Sequence, residues 1–336
     1  MTTFQSLDHF RELLSALPKS DLQAAKAAQS RQAILTKPQG SLGRLEDIAI
    51  FMAGWQARPI PSAKAPQVII FAGNHGICDR GVNPFPQSVT AQMVENFRSG
   101  GASINHFAKL AGAKISVVPI ALDRPTQDFS RGAAMTADEL LECLNIGAET
   151  IDSDADILIL GEMGIGNSTT AAALSCASFG GDPEDWVGAG TGSDSHGRAL
   201  KAQVVAEAMA LHTEKLSDPL AIMASVGGKE LAAIAGAVVA ARLRRIPVML
   251  DGFICTSAVA PLGRIEGVLD HCLVGHQSTE PGHARLLEAL GKSGILSLEM
   301  RLGEGSGAAV ALLIVQAALA MHEGMASFAE AGIDHP

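Results

Sequence analysis

Short apolar runs, each closed by a cluster of small and polar residues, set the tightest limit on how this chain can fold. The runs cover residues 68–71, 115–119, 157–160, 222–226, 248–250 and 273–274. A strand with one wet face alternates apolar and polar residues, whereas one buried on both faces is apolar throughout. Several of these runs are of the second kind. Longer segments with helical spacing separate them, and that alternation predicts an α/β fold with a doubly wound parallel sheet.

The clusters that close the runs are Ala72-Gly-Asn-His-Gly76, Gly161-Glu-Met-Gly-Ile-Gly166, Ser225-Val-Gly-Gly228, Asp251-Gly252 and Gly275-His-Gln-Ser278. Open α/β sheets bind ligands beyond the carboxyl ends of their strands, so a site is expected along that one edge. The 35 glycines exceed what ordinary turns need, and many sit in these clusters, where backbone must approach a ligand closely.

The chain ends read as helical. Leu7, Phe10, Leu14 and Leu17 recur at helical spacing, Pro18 breaks the run, and Asp21 is placed to cap the next helix. A loop, Lys37-Pro-Gln-Gly-Ser-Leu-Gly43, leads into another helix through Leu45 and Ile48. The apolar run 308–321 falls short of the ~20 residues of a membrane span.

Composition removes several classes. Hydrophobic residues make up 47% and charged residues 18% of 336, enough for a large core. A net charge of −10, no basic run and 4% aromatics leave nothing to hold a nucleic acid. Five scattered cysteines form no CxxC pair, so neither a disulfide framework nor a zinc ribbon is expected. With no apolar signal core in the first 17 residues, a cytoplasmic protein away from membranes is expected.

Three constellations bear on chemistry. The segment Ile157-Leu-Ile-Leu-Gly-Glu-Met-Gly-Ile-Gly-Asn-Ser-Thr-Thr170 reads as strand, glycine turn, hydroxyl-rich cap and helix. A helix N-terminus with free N–H donors suits a phosphate; an ordinary capped turn is the plainer alternative. It matches neither GxGxxG nor GxxxxGK[ST], which weighs against a nicotinamide-dependent oxidoreductase and a P-loop enzyme. Gly188-Ala-Gly-Thr-Gly-Ser-Asp194 precedes a helix with Leu200, Val204 and Leu211 as its apolar stripe. Lys201 on that helix either donates to a phosphate or is a solvated lysine. Glu304, between two glycines before the helical run, either serves as a general base or complements the helix dipole. His276 and His283 lack the spacing of a zinc site, Asn74-His75 reads as structural or positioning, and no GxSxG elbow occurs.

Nine segments in order from residue 37 to 307 resemble the nicotinate-nucleotide–dimethylbenzimidazole phosphoribosyltransferases of cobamide synthesis. They are Lys37–Glu46, Ala72–Ile77, Val89–Met93, Gly161–Thr170, Gly188–Gly192, Gly227–Glu230, Leu250–Phe253, His276–His283 and Arg301–Gly305. The resemblance implies a Rossmann-like sheet domain (59–307), a small helical domain from both chain ends (1–58 with 308–336), and a homodimer. It implies Glu304 as general base, and Glu162, Met163, Gly164, Ile165, Gly190, Lys201 and Ser278 around a ribose phosphate. Gln92 and Phe85 would flank the acceptor base. The reactants would be nicotinate mononucleotide and a benzimidazole-type base, with no cofactor and no metal. A non-catalytic nucleotide sensor would use the same cradle without needing Glu304.

Overall fold

The computed structural model describes residues 3–190, 192 and 194–334. Six strands form one sheet: β1 (Pro66–Ala72), β2 (Lys114–Pro119), β3 (Ile157–Met163), β4 (Val248–Leu250), β5 (Cys272–His276) and β6 (Gly294–Leu296). Their spatial order is β2-β1-β3-β4-β5-β6, and every pairing is parallel. The chain spreads first to one side of β1 and then, from β3 onward, to the other. The switch point therefore lies between β1 and β3, which pair from Pro66↔Ile157 to Ala72↔Met163.

The period-two geometry of a strand divides the core. Ile69, Phe71, Leu158, Leu160, Val248 and Leu250 face one layer of helices. Val68, Ile70, Ile157, Ile159 and Met249 face the other. Because both faces are covered, β1 is buried throughout its length, while the edge strands β2 and β6 are only half-buried. This is why β6, with little apolar sequence beyond Ile295 and Leu296, escaped the expectation.

One expected strand is absent. Residues 222–226 belong to the helix Pro219–Val226, whose N-cap Asp218 accepts from the Ala221 N–H at 3.1 Å. Leu220, Ile222, Met223 and Val226 are all buried, so the helix lacks the polar face that would have betrayed its period. The local evidence was Asp218-Pro219, a cap followed by proline at the first helical position.

At the amino end, helices run Leu7–Ser15, Leu22–Ile34 and Arg44–Gln56, and Asp21 caps the second by accepting from the N–H groups of Gln23 and Ala24 at 2.9 Å. Phe10 and Leu14 join the core shared with the helix Ala137–Glu149, where the Asn145 amide bonds both the N–H and the carbonyl of Phe4. The helix Ser306–Gly324 is longer than the apolar run implied. At 19 residues it has the length and composition of a membrane span, but half of it is buried within the protein. Ala308, Ala311, Leu312 and Val315 lie in the layer over Val68, Ile70 and Met249. The two chain ends meet: Leu35 bridges Ser327, and the Arg31 guanidinium donates to the carbonyls of His322 and Glu323.

Candidate active site

The carboxyl ends of β1, β3, β4 and β5 deliver His75, Glu162, Asp251 and Ser278 to one edge of the sheet. Immediately after β3, Gly164-Ile165-Gly166 turns into the helix Asn167–Phe179. Gly166 has φ +93°, and a Cβ there would lie 2.7 Å from the Cys78 sulfur, so the turn requires glycine on two counts. Behind the turn, His75 Nε2 meets Glu230 Oε1 at 2.7 Å and His75 Nδ1 meets Thr170 Oγ1 at 3.1 Å. This buried pair gives the histidine the partner that its sequence context did not reveal.

Glu304 arrives from the opposite end of the chain. It lies between Gly303 and Gly305, and all three have positive φ, 88°, 66° and 86°. A glutamate held in the left-handed region stores strain, of order 1–3 kcal/mol, and persists only where its surroundings fix it. Asp251 supplies that fixation. Its Oδ2 accepts from the Gly305 N–H at 3.2 Å and its Oδ1 from the Ala308 N–H at 2.8 Å. Gly161 on β3 supplies the room, since a Cβ there would stand 2.4 Å from the Glu304 carbonyl oxygen.

Glu304 is 7% exposed, and its Oε2 has no hydrogen-bond partner among the described residues. Burial, with help from the Asp251 charge, pushes its pKa up to about 7. Glu162 is pushed to about 8, first by burial and then by Asp251, Glu230 and Glu304; the Asn167 amide donates to its Oε2. Burial also carries Asp251 to about 7 against backbone hydrogen bonds from Ala308, Gly305 and Gly307. Carboxyls this close titrate as a group and resist ionising together. Such a cluster favours a ligand that brings positive charge.

The opposite flank is built for an anion. Lys201 is only 3% exposed, and its Nζ donates to Ser168 Oγ at 3.2 Å and the Gly188 carbonyl at 3.4 Å. It is not the solvated lysine that its helix position allowed. Burial lowers its pKa while Glu280 opposes that shift. Gly190, at φ +54°, donates its N–H to Glu280 Oε1 at 3.1 Å, and its carbonyl accepts from Arg301 at 3.1 Å. Thr191 and Ser193 of the same cluster lie outside the described residues.

The Ser278 hydroxyl accepts from the Glu280 N–H at 3.2 Å, leaving its own proton to donate. The Ser278 N–H donates to His283 Nδ1 at 2.9 Å, so the His283 proton sits on Nε2. Burial holds His283 near about 3 and lowers His276 as well. Among the described residues no group of His, Cys, Asp and Glu is arranged to hold a metal ion. Burial raises the thiols, Cys78 to about 12, so none is a ready nucleophile.

These flanks enclose a cavity of about 230 Å³ that brings together Glu162, Met163, Gly164, Ile165, Gly190, Lys201, Ser278, Glu304 and Phe85. Its apolar wall is Phe85, Val89, Met93, Met163 and Leu302. Gln92 is the exception. On the helix Ser88–Ser99, Val89 and Met93 lie four apart on the face toward the cavity, and Gln92 points to solvent outside the lining. Leu211 likewise leaves its expected stripe and is 51% exposed.

A family model described as phosphoribosyltransferase matches residues 17–333. A relative from Ruegeria pomeroyi, named nicotinate-nucleotide–dimethylbenzimidazole phosphoribosyltransferase, is 55% identical over 97% of each chain. One of the same name from Novosphingobium aromaticivorans is 54% identical over 99% of each. The chain belongs to the nicotinate-nucleotide–dimethylbenzimidazole phosphoribosyltransferase family. A crystal structure carrying that enzyme's name, from Thermus thermophilus, superposes with a TM-score of 0.87 at 38% identity, over 94% of this chain and all of that one.

Within this phosphoribosyltransferase, sequence reasoning left several cavity residues without a role: Asp251, Ser168, Asn167, Glu280 and Arg301. Asp251 had a legible signal, an acid at the end of a buried strand among glycines. Glu280 and Arg301 act through backbone groups of a distant loop, which no local pattern encodes.

Proposed function

We propose that the chain transfers ribose 5-phosphate from nicotinate mononucleotide to 5,6-dimethylbenzimidazole or a related base, giving α-ribazole 5′-phosphate and nicotinate for the lower ligand of cobalamin. The observation that carries this reading is a buried Glu304 carboxylate with a partnerless oxygen, facing a cavity whose far side presents Lys201 and Ser278.

The pyridinium nitrogen of the donor makes nicotinate a good leaving group, since departure cancels its positive charge. The base nitrogen lone pair attacks ribose C1′ from the opposite face, the glycosidic bond breaks, and its electron pair stays on nicotinate. As the new C–N bond forms, the other ring N–H turns acidic, and Glu304 takes that proton. The carboxyl cluster of Glu162 and Asp251 complements the cationic donor ring and the developing charge at C1′. Lys201, Ser278 and the Gly164–Gly166 turn hold the phosphate, so positioning supplies much of the rate. The apolar wall from Phe85 to Leu302 receives the base.

Incubating the chain with both substrates should release free nicotinate in step with the α-nucleotide; release of neither sinks the reading. Because the base must be ionised, kcat/KM should climb with pH and level off above about 7, the value burial gives Glu304. A profile flat from pH 5 to 8 would count against that role. Lys201→Met removes a charge-assisted contact worth ~1.5–3 kcal/mol, so the donor KM should rise about 10- to 150-fold in steady-state kinetics.

The same reading takes the chain as a cytoplasmic homodimer, with 1–58 and 308–336 as a smaller helical unit seated directly on 59–307, since Phe10 and Leu14 enter the main core and Ala308, Leu312 and Val315 lie over the sheet. Leu298 and Leu302, 58% and 54% exposed, support a partner surface near the cavity mouth. Light scattering on the eluted protein tests it.

A further inference from the structure

We propose that Glu280 is a positioning residue that shapes the 188–190 loop for the ribose phosphate. The proposal rests on the phosphate-binding role assigned above to that flank. Glu280 is nine-tenths buried and lines the cavity between the N-terminus of the helix Pro281–Ala289 and the loop. A carboxylate beside a phosphate site repels the ligand, and its help in keeping Lys201 charged is outweighed by burial, so charge is not its main reason to be there. Its contacts give another reason.

Oε1 accepts from the Gly190 N–H at 3.1 Å. Oε2 has no hydrogen-bond partner among the described residues and presses on Gly188, where a Cβ would fall 1.9 Å away. One planar group therefore spans both glycines of the loop. Lys201 and Arg301 take the outward carbonyls, Gly188 O and Gly190 O. The loop is thus held at its Gly190 N–H by a single acceptor and at its carbonyls by two cations that also line the cavity. Without the Glu280 acceptor, Gly190 loses the bond that holds its left-handed conformation, and the loop no longer presents a fixed shape to the phosphate.

The role predicted is one of reach rather than charge, and two substitutions separate them. Glu280→Gln keeps the Oε1 acceptor and the packing on Gly188 but removes the negative charge. Glu280→Ala removes both. Binding of ribose 5-phosphate by calorimetry should weaken at least tenfold in Glu280→Ala and stay at the wild-type value or tighten in Glu280→Gln. Turnover should show the same split: a raised KM for the mononucleotide with kcat within about threefold. Gly188→Ala forces a methyl against the carboxylate and should weaken binding by a similar factor. Combined with Glu280→Ala its effect should fall well short of additive, because the carboxylate is gone and only the Pro281 Cδ contact at 2.9 Å remains.

Equal weakening by Gln and Ala, unchanged binding in Glu280→Ala, or full additivity in the double variant would overturn the proposal. Should Glu280→Ala not fold, Gly188→Ala and Glu280→Gln alone carry the decision, tenfold weaker against unchanged. A wild-type chain that binds ribose 5-phosphate but releases no nicotinate sinks the reaction and leaves this series to decide Glu280.

Discussion

Glu304→Gln should cut turnover at least 10²-fold while making the protein more stable at pH 8. The first half follows from chemistry: a carboxamide of the same shape accepts no proton, and a lost general base costs 10²–10⁴. The second follows from linkage. Unfolded, the Glu304 carboxyl titrates near its ordinary 4.5; folded, it keeps its proton up to about 7. Between those values the unfolded chain binds fewer protons than the native one, so stability falls as pH rises, and the loss is complete above the folded value. Glutamine has no proton to give up and escapes that loss, by ~1–3 kcal/mol. Glu162 and Asp251 carry the same sign and keep lowering stability toward pH 8. Thermal denaturation at pH 5 and pH 8 should show the variant's advantage only at the higher pH. An inert cap would lose stability in both and keep its turnover.

Gly161→Ala should lose nearly as much activity without touching any reacting group. The added methyl would meet the Glu304 carbonyl oxygen at 2.4 Å, its carbon at 2.6 Å and the Gly305 nitrogen at 2.8 Å, all backbone. No side-chain rotation relieves contacts of that kind, so the loop carrying the base must move. A displacement near 1 Å in a catalytic group costs ~10² in rate, and overpacking costs ~1–3 kcal/mol of stability. Kinetics should show a reduced kcat as the main effect and a smaller rise in donor KM, since the methyl strikes the Glu304 loop directly and the phosphate-holding turn begins three residues on. A variant with wild-type kcat would mean that the Glu304 loop is not held by β3.

Much of this arrangement could be read from residues in order. Central strands announce themselves because both faces are apolar, and the glycine clusters after 72, 160 and 250 mark the edge where the site forms. Glu304 stood out because its neighbours are glycines. What could not be read depends on distance or on company. The helix Pro219–Val226 passed for a strand because its half-buried positions, Pro219, Ala221 and Ala224, are as apolar as its buried ones, which erased its period. Lys201 gave no local sign of being buried, since its partners Ser168 and Gly188 lie on other elements. Gln92 lies outside the cavity lining because one helical step decides whether a side chain meets a cavity or water. The pairing of His75 with Glu230, 155 residues apart, was invisible for the same reason.

The position of Glu304 so late in the chain has a consequence for synthesis. The turn after β3, Lys201 and Ser278 have all left the ribosome before the proton acceptor has, and the helix Ser306–Gly324 that seats it emerges later still. A nascent or prematurely terminated chain can thus carry the parts that grip a sugar phosphate while lacking the group that completes the transfer. Its sheet also has one flank only partly covered, an apolar face that quality control can recognise before any chemistry begins.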